Sequence, residues 1–250
     1  MTIKSVQDQI FKNILSLREG ETHDKNRFFF VEGKKQIEEI PIDWNIKQIF
    51  VSEKYENDVT GIKNVVTFSE RLFKKLASTK SPQGIMAVVE KKHYDIKEIL
   101  KNSGVLIVLE SIQDPGNLGT IIRSADAFAA KAVFISKGSV DVYLDKTIRA
   151  TMGSIFHLPV INNIDTEETL AMLKEENITI FAATLNGTHY LSDCTIPKKS
   201  AFIIGNEAHG LNRKIESLSD LLVKIHMPGN SQSLNVAVAA SIIMYEISKK

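Results

Sequence analysis

The stretch VLIVLESIQDPGNLGTIIRSADAF, residues 105–128, joins a continuous apolar run to a glycine-containing turn and then to a helical pattern. A short run such as VLIVL fills a strand that is buried on both faces of a parallel sheet. Beyond the turn, Leu118, Ile121, Ile122, Ala125, Phe128 and Ala129 fall on one stripe of a helix with a period of 3.6 residues. Strand, turn and helix together are the repeating unit of an α/β domain. The pattern recurs outward from this stretch: KAVFIS, ITIFAAT, SAFIIG and LLVKIHM are further short apolar runs, with helical spacing between most of them. Residues 98–250 therefore read as an α/β domain built on a parallel sheet. In such sheets ligands sit at the carboxyl ends of the strands.

Three of those ends carry unusual loops: DPGNLG after Leu109, GNEAHG after Ile204 and MPGNSQSLN following Ile225. Gly, Asn and Ser permit tight turns and let main-chain groups approach a ligand closely. Three such loops at one sheet edge predict a pocket lined largely by backbone. The chain has no GxxxxGK[ST] to cradle a triphosphate and no GxGxxG with an acidic residue about twenty positions on, which argues against ATP, GTP and NAD(P). It also has no GxSxG elbow. One cysteine, Cys194, and six histidines without CxxC, HxxH or HExxH spacing offer no zinc site, so no structural metal is expected.

Arg123 stands opposite the apolar stripe of its helix. Helical side chains lean toward the N-terminus, so it is expected to reach over Gly119 and Thr120 toward Asn117. The plain alternatives are a surface arginine paired with a carboxylate and, for Asn117, a helix N-cap. The last helix, NVAVAASIIMYEI, is apolar or small on nearly every face. It is either a central core helix or part of a dimer interface.

Residues 1–97 read as a smaller α/β domain. Val6, Ile10, Ile14 and Leu17 mark an amphipathic start, RFFFVEG, IKQIFVS and GIMAVVE are strand-like, and KKQIEEI and ERLFKKLAS are helical. A polar, helical KKHYDIKEILKNSG follows, ended by Gly104, and the linker falls near Lys91–Lys97. This part is the basic one, with 17 Lys and Arg against 14 Asp and Glu, whereas residues 98–250 hold 14 against 16. Between Arg71 and Lys92 six basic residues face Glu90 alone. Such a stretch can neutralise nucleic-acid phosphates, although a solvated helix face has the same composition. The first thirty residues lack the apolar core of a signal peptide, and no run approaches about twenty apolar residues, so a cytoplasmic protein is expected, with no membrane partner.

DPGNLGTIIRSADAF, IIGNEAHGL and MPGNSQSLNVAVAASIIMYE resemble, in order, the three motifs of the SpoU/TrmH family of RNA ribose 2′-O-methyltransferases, within the SPOUT superfamily. NRFFFVEGKKQIEEI and STKSPQGIMAVVE are similar to the small substrate-binding domain that precedes the catalytic domain in ribosomal-RNA members. The resemblance implies an RNA-binding domain over 1–97 and, over 98–250, a methyltransferase domain with a deep trefoil knot. It also implies S-adenosylmethionine as cofactor, RNA as partner and a homodimer. Main-chain groups around Thr184, Leu185, Gly205, Ile225, Met227 and Leu234 would hold the cofactor.

The family's motif residues fall on Asn117, Arg123, Glu207, Ser233 and Asn235, the expected catalytic set. One departure is visible: where many members read Ile-Pro-Met, this chain has Ile225-His226-Met227, with Pro228 following. Large-subunit ribosomal RNA is favoured as substrate over tRNA. The competing readings are a SPOUT enzyme that methylates a base and a non-catalytic RNA-binding factor of ribosome assembly.

Overall fold

The computed structural model describes residues 2–19, 27–55, 64–102 and 104–250. Asn26 of the first N-terminal motif and Ser103 of the expected linker helix lie outside them. Contacts divide the chain into two units, one of Met1–Lys92 with Tyr143–Arg149 and one of His93–Val142 with Ala150–Lys250. The 97/98 division read from the sequence falls inside a helix, Ile96–Lys101, of the second unit.

In the first unit the elements are β1 (Thr2–Ile3), α1 (Gln9–Glu19), β2 (Phe28–Glu32), α2 (Lys34–Glu38), β3 (Ile46–Ser52), β4 (Val65–Phe68), α3 (Glu70–Leu76) and β5 (Ile85–Glu90). They form a mixed sheet in the order β1-β4-β3-β5-β2. β5 runs antiparallel to both β2 and β3, and β4 parallel to β1 and β3. The three expected strands are present, while β1 and β4 are too short to stand out as periodic runs. One face of the sheet packs Phe50, Phe68, Met86 and Val88 against Phe11 of α1 and Leu72, Phe73 and Leu76 of α3. Phe68 meets Phe11 edge-on at 5.9 Å and Phe50 at 5.6 Å, arrangements that suit the ring quadrupoles. Tyr143–Arg149 joins this unit through the Phe29–Tyr143 ring contact at 4.9 Å and the Arg18–Asp145 ion pair at 2.6 Å.

The second unit continues with α4 (Ile96–Lys101), β6 (Gly104–Leu109), α5 (Pro115–Ala127), β7 (Ala132–Ser136), β8 (Val160–Ile164), α7 (Thr166–Glu175), β9 (Thr179–Ala183), β10 (His189–Tyr190), β11 (Lys199–Ile204), α8 (Arg213–Leu218), β12 (Leu221–Lys224) and α9 (Val236–Ser248). The intervening α6 (Asp145–Thr151) lies mostly in the first unit. The sheet order is β10-β12-β9-β11-β6-β7-β8, and every recorded pairing is parallel. The five apolar runs are β6, β7, β9, β11 and β12. β6 and β11 are buried along most of their length, as strands covered on both faces must be. Between β9 and β11, Phe181 and Phe202 stack at 4.6 Å, 5° from parallel. The sequence reading missed β8 because VINNI is an edge strand with exposed asparagines in its middle.

The topology fixes where the ligand-facing edge lies. From β6 the chain moves outward to β7 and β8, then crosses to β9, and β11 inserts between β9 and β6. The order reverses at the centre of the sheet, and there the carboxyl ends of β6, β9, β11 and β12 gather the loops. In parallel sheets such a switch point opens a crevice.

Candidate functional site

The first loop leaves β6 through Ser111, whose φ of 56° turns the chain sharply. Its amide is satisfied by Ser136 Oγ at 2.8 Å. Asp114 then caps α5, its carboxylate accepting from Asn117 N at 2.8 Å, and Pro115 opens the first turn. Aspartate before proline at a helix start is a signal of an N-cap. Asn117 is thus not the cap; it lies three residues inside, and its side chain is released for other contacts. The helix ends at Ala127, so Phe128 and Ala129 lie beyond its stripe. Ala129 has a φ of 56°, and Leu118, Ile121, Ile122 and Ala125 form the buried face.

The second loop folds back on itself. Asn206 and Gly210 exchange backbone hydrogen bonds of 3.1 and 2.9 Å, and Asn206 Oδ1 accepts from the amides of Ala208 and His209. Asn206 Nδ2 donates to Ser111 O at 2.8 Å, tying this loop to the first. A Cβ added at Gly205 would lie 2.4 Å from the Gly210 carbonyl carbon, so the fold leaves no room for a side chain there.

Glu207, on this loop, accepts from Gln113 N, Asp114 N and Asn117 Nδ2 at 3.2–3.3 Å. Partial burial pushes its carboxyl up. The hydrogen bonds from its own amide, Asn117, Asp114 and Gln113 outweigh that and hold it below the ordinary carboxylate range.

The third loop ends at Asn235, whose Oδ1 accepts from Ala237 N and Val238 N and caps α9. The other side of the same amide donates to Asn117 Oδ1 at 3.0 Å. Asn117 therefore joins all three loops, receiving from Asn235 and giving to Glu207. The Ser233 carbonyl accepts from Ser231 Oγ at 2.8 Å, which tightens the approach to the cap.

A cavity of about 510 Å³ opens among these loops. Thr184, Leu185, Gly205, Ile225, Met227 and Leu234, the six residues expected around a cofactor, all line it, and so do Glu207 and Ser233. Leu185 is 61 % exposed and Leu234 36 %, apolar surface left open at the cavity. Arg213, Glu216 and Lys224 place both signs of charge along its lining.

Arg123 stands apart. It is exposed on α5, roughly 9 Å along the axis from Asn117 by helix rise, and is not part of the cavity lining. Among the described residues it has neither a carboxylate partner nor a hydrogen bond, so it is not the ion-paired surface arginine of the plain alternative. Asn117 and Asn235 are not part of the lining. Sequence reasoning missed Asp114 and Asn206, the groups that shape the first two loops. The Asp-Pro pair signalled the first; nothing local distinguishes Asn206 from other loop asparagines.

α9 buries Val236, Ala237, Ala240, Ile243, Met244 and Ile247 in the unit. It packs on α5, where Ser124 and Ser241 hydroxyls meet at 2.7 Å and the rings of Phe128 and Tyr245 at 5.8 Å. Beside this contact Val238 and Tyr245 stay half exposed, at 48 % and 49 %. With Thr120 and Ile242 they border a shallow depression. Among the described residues no group of His, Cys, Asp and Glu could hold a metal, and no helix is long and apolar enough to cross a membrane.

Comparison with known proteins gives this arrangement a family. Residues 104–245 match the model of the SpoU rRNA Methylase family, and residues 8–87 that of the MRM3-like substrate binding domain. The chain is 33 % identical, over 98 % of both sequences, to the 23S rRNA (guanosine(2553)-2′-O)-methyltransferase RlmP of Bacillus subtilis. Among solved structures it resembles the AdoMet-bound rRNA methyltransferase of Sinorhizobium meliloti, with a TM-score of 0.87 and 27 % identity over all of this chain and 97 % of that one. It also resembles the SpoU methyltransferase AviRb of Streptomyces viridochromogenes, with a TM-score of 0.85 and 25 % identity over 97 % of both chains.

Proposed function

The chain belongs to the SpoU rRNA methylase family, and from that premise we propose that it transfers a methyl group from S-adenosylmethionine to a ribose 2′-hydroxyl of 23S ribosomal RNA. The observation that carries this reading is the convergence of all six expected cofactor residues on one cavity. Its 510 Å³ lies within the roughly 300–1,000 Å³ of small-molecule clefts. Backbone edges, open leucines and charges of both signs suit a nucleoside joined to a zwitterionic amino acid.

When bound, the cofactor supplies an electrophilic sulfonium methyl. Thr184, Leu185, Gly205, Ile225, Met227 and Leu234 would hold it, largely through main-chain groups. Glu207, Asn117 and Asn235 keep the three loops in register, and Ser233, in the cavity lining, would help to fix the ribose. Arg123 is the cation of the reaction. A guanidinium is too weak an acid to serve as a base, so its work is to orient the 2′-hydroxyl and the neighbouring phosphate and to stabilise the developing alkoxide as its proton passes to solvent water. Holding the hydroxyl in line for attack supplies up to roughly 7–11 kcal/mol of the acceleration in well-oriented systems.

The separation of Arg123 from the cavity supports a homodimer in which this arginine serves the cavity of the other subunit. The open Val238–Tyr245 face of α9 offers the contact. The close backbone approaches at Gly205 and at Gly187, where an added Cβ would lie 2.6 Å from Val223 C, support a deep trefoil knot in the carboxyl-end loops. Such a knot is a rare exception to unthreaded topology. A ribosomal RNA substrate supports a cytoplasmic location.

The test is incubation of the purified protein with radiolabelled S-adenosylmethionine and 23S rRNA lacking its modifications. The product is then mapped by alkaline cleavage, which a 2′-O-methyl group blocks. Label on a base, or no label with bound cofactor, would overturn the reading.

A further inference from the structure

The outer edge of the parallel sheet carries a cluster, Tyr190, Lys224 and His226, of which only Lys224 reaches the cavity lining. β10 pairs in parallel with β12 and sets Tyr190 beside Lys224. Tyr190 is 40 % exposed, and the exposed His226 ring stands perpendicular to it, at 87° and 5.1 Å between centroids. Lys224 Nζ lies 5.0 Å from the centre of the tyrosine ring. Among the described residues neither Lys224 nor His226 has a carboxylate partner.

The cluster adjoins the cavity, because its own Lys224 lines it together with Leu191 and Ile225, neighbours of the cluster in sequence. Tyr190 itself is not part of that lining, which separates it from the cofactor. Nor does it serve the core, since both residues of β10 are exposed. An open aromatic ring beside an unneutralised lysine is the pair of features with which proteins hold single-stranded nucleic acid: a ring for a base face and a cation for the backbone.

We propose that Tyr190 stacks on a nucleobase flanking the methylated nucleotide, while Lys224 swings from the ring to the adjacent phosphate. His226, packed at right angles, keeps the tyrosine upright. A lysine over an exposed ring is held loosely, so giving up that contact opposes stacking little. The inference rests on the reading of the chain as an RNA 2′-O-methyltransferase and adds to it a substrate contact.

The test uses the full chain, a 23S rRNA fragment that the wild type methylates, and the variants Tyr190→Ala, Tyr190→Trp and Lys224→Gln. Loss of one base stack is expected to raise the KM for RNA about tenfold or more in Tyr190→Ala. Its kcat should stay within about twofold of wild type, with unchanged S-adenosylmethionine affinity and assembly state. Tyr190→Trp should restore RNA affinity, and Lys224→Gln should flatten the dependence of log affinity on log salt by about one contact. An unchanged RNA KM in Tyr190→Ala would overturn the proposal, as would loss of cofactor binding or of subunit assembly with RNA affinity intact. Fluorescence anisotropy reads RNA binding without methyl transfer. A wild type that binds RNA but never methylates it therefore counts against the functional reading, and the Tyr190 comparison can still be made.

Discussion

The side-chain amide of Asn235 donates to Oδ1 of Asn117 at 3.0 Å, across a sequence separation of 118 residues. One planar group thus caps α9 with its oxygen and steadies the first loop with its nitrogen. The two functions can be separated by chemistry. Asn235→Asp keeps the capping oxygens but replaces the donor with a second acceptor facing Asn117. It is expected to hold stability within about 0.5 kcal/mol of wild type while turnover falls. Asn235→Ala should also lose the cap, at roughly 1–2 kcal/mol. Thermal unfolding and single-turnover methylation check the pair; equal losses of stability in both variants would reduce Asn235 to a cap.

Among the described residues Arg123 has no partner that its removal would orphan, so Arg123→Ala is expected to leave folding and cofactor affinity unchanged while methyl transfer drops by orders of magnitude. Lysine should rescue it poorly, because a point charge lacks the planar fork that meets a hydroxyl and a phosphate together. If the arginine serves the other subunit, mixing Arg123→Ala with a cofactor-deficient Gly205→Ala should restore part of the activity. Val238→Glu, on the open face of α9, should weaken assembly as read by light scattering. Near-normal turnover in Arg123→Ala would remove it from the mechanism.

Gly205 tests the close packing of the second loop. A methyl group there meets the Gly210 and Leu211 backbone at 2.4–2.6 Å, and backbone cannot swing aside as a side-chain tip can. Gly205→Ala is expected to cost about 1–3 kcal/mol of stability, in the range of overpacked sites, and to weaken S-adenosylmethionine binding more than tenfold. Gly138 has open space around its Cβ direction, but its φ of 82° makes alanine strained there, so Gly229→Ala, with open space and no such φ, is the better control. Calorimetry with the cofactor reads both; equal affinities would mean that the loop opens freely.

Glu207 links stability to pH. Its folded carboxyl lies below the ordinary value, so its contribution is present above the unfolded pKa, roughly 4.3, and is lost as pH falls through the lower folded value. The wild type should therefore be more stable than Glu207→Gln near pH 6, and the difference should vanish on acidification below about pH 4. Because the side chain is exposed, solvent screening keeps the effect small. Denaturant titrations at several pH values measure it, and a difference independent of pH would show that the charge does not hold the loops.

Much of the second unit was legible in its residues. β6, β7, β9 and β11 announce themselves as apolar runs because a strand buried on both faces has no polar side to show. α5 was legible to its last turn, where Ala129 leaves the helix through a left-handed conformation that periodicity does not reveal. β8 and β10 were not, since edge strands may be polar or two residues long and still satisfy their backbone against a neighbour. The grouping of Tyr143–Arg149 with the first unit was equally hidden: its contacts to Phe29 and Arg18 span more than a hundred residues.

By itself the sequence determined the α/β class, the three glycine-rich loops at the strand ends and the residue types they carry, because periodicity and turn chemistry act over a few neighbouring residues. Only the tertiary structure decided what those residues do to one another. Insertion of β11 between β9 and β6 brings residues 117, 207 and 235 into one hydrogen-bonded chain and gathers six distant residues around one cavity. It also leaves Arg123 outside the cavity lining of its own chain. These outcomes depend on strand order, and strand order is set by how the whole apolar surface of the sheet is buried, which no local stretch records.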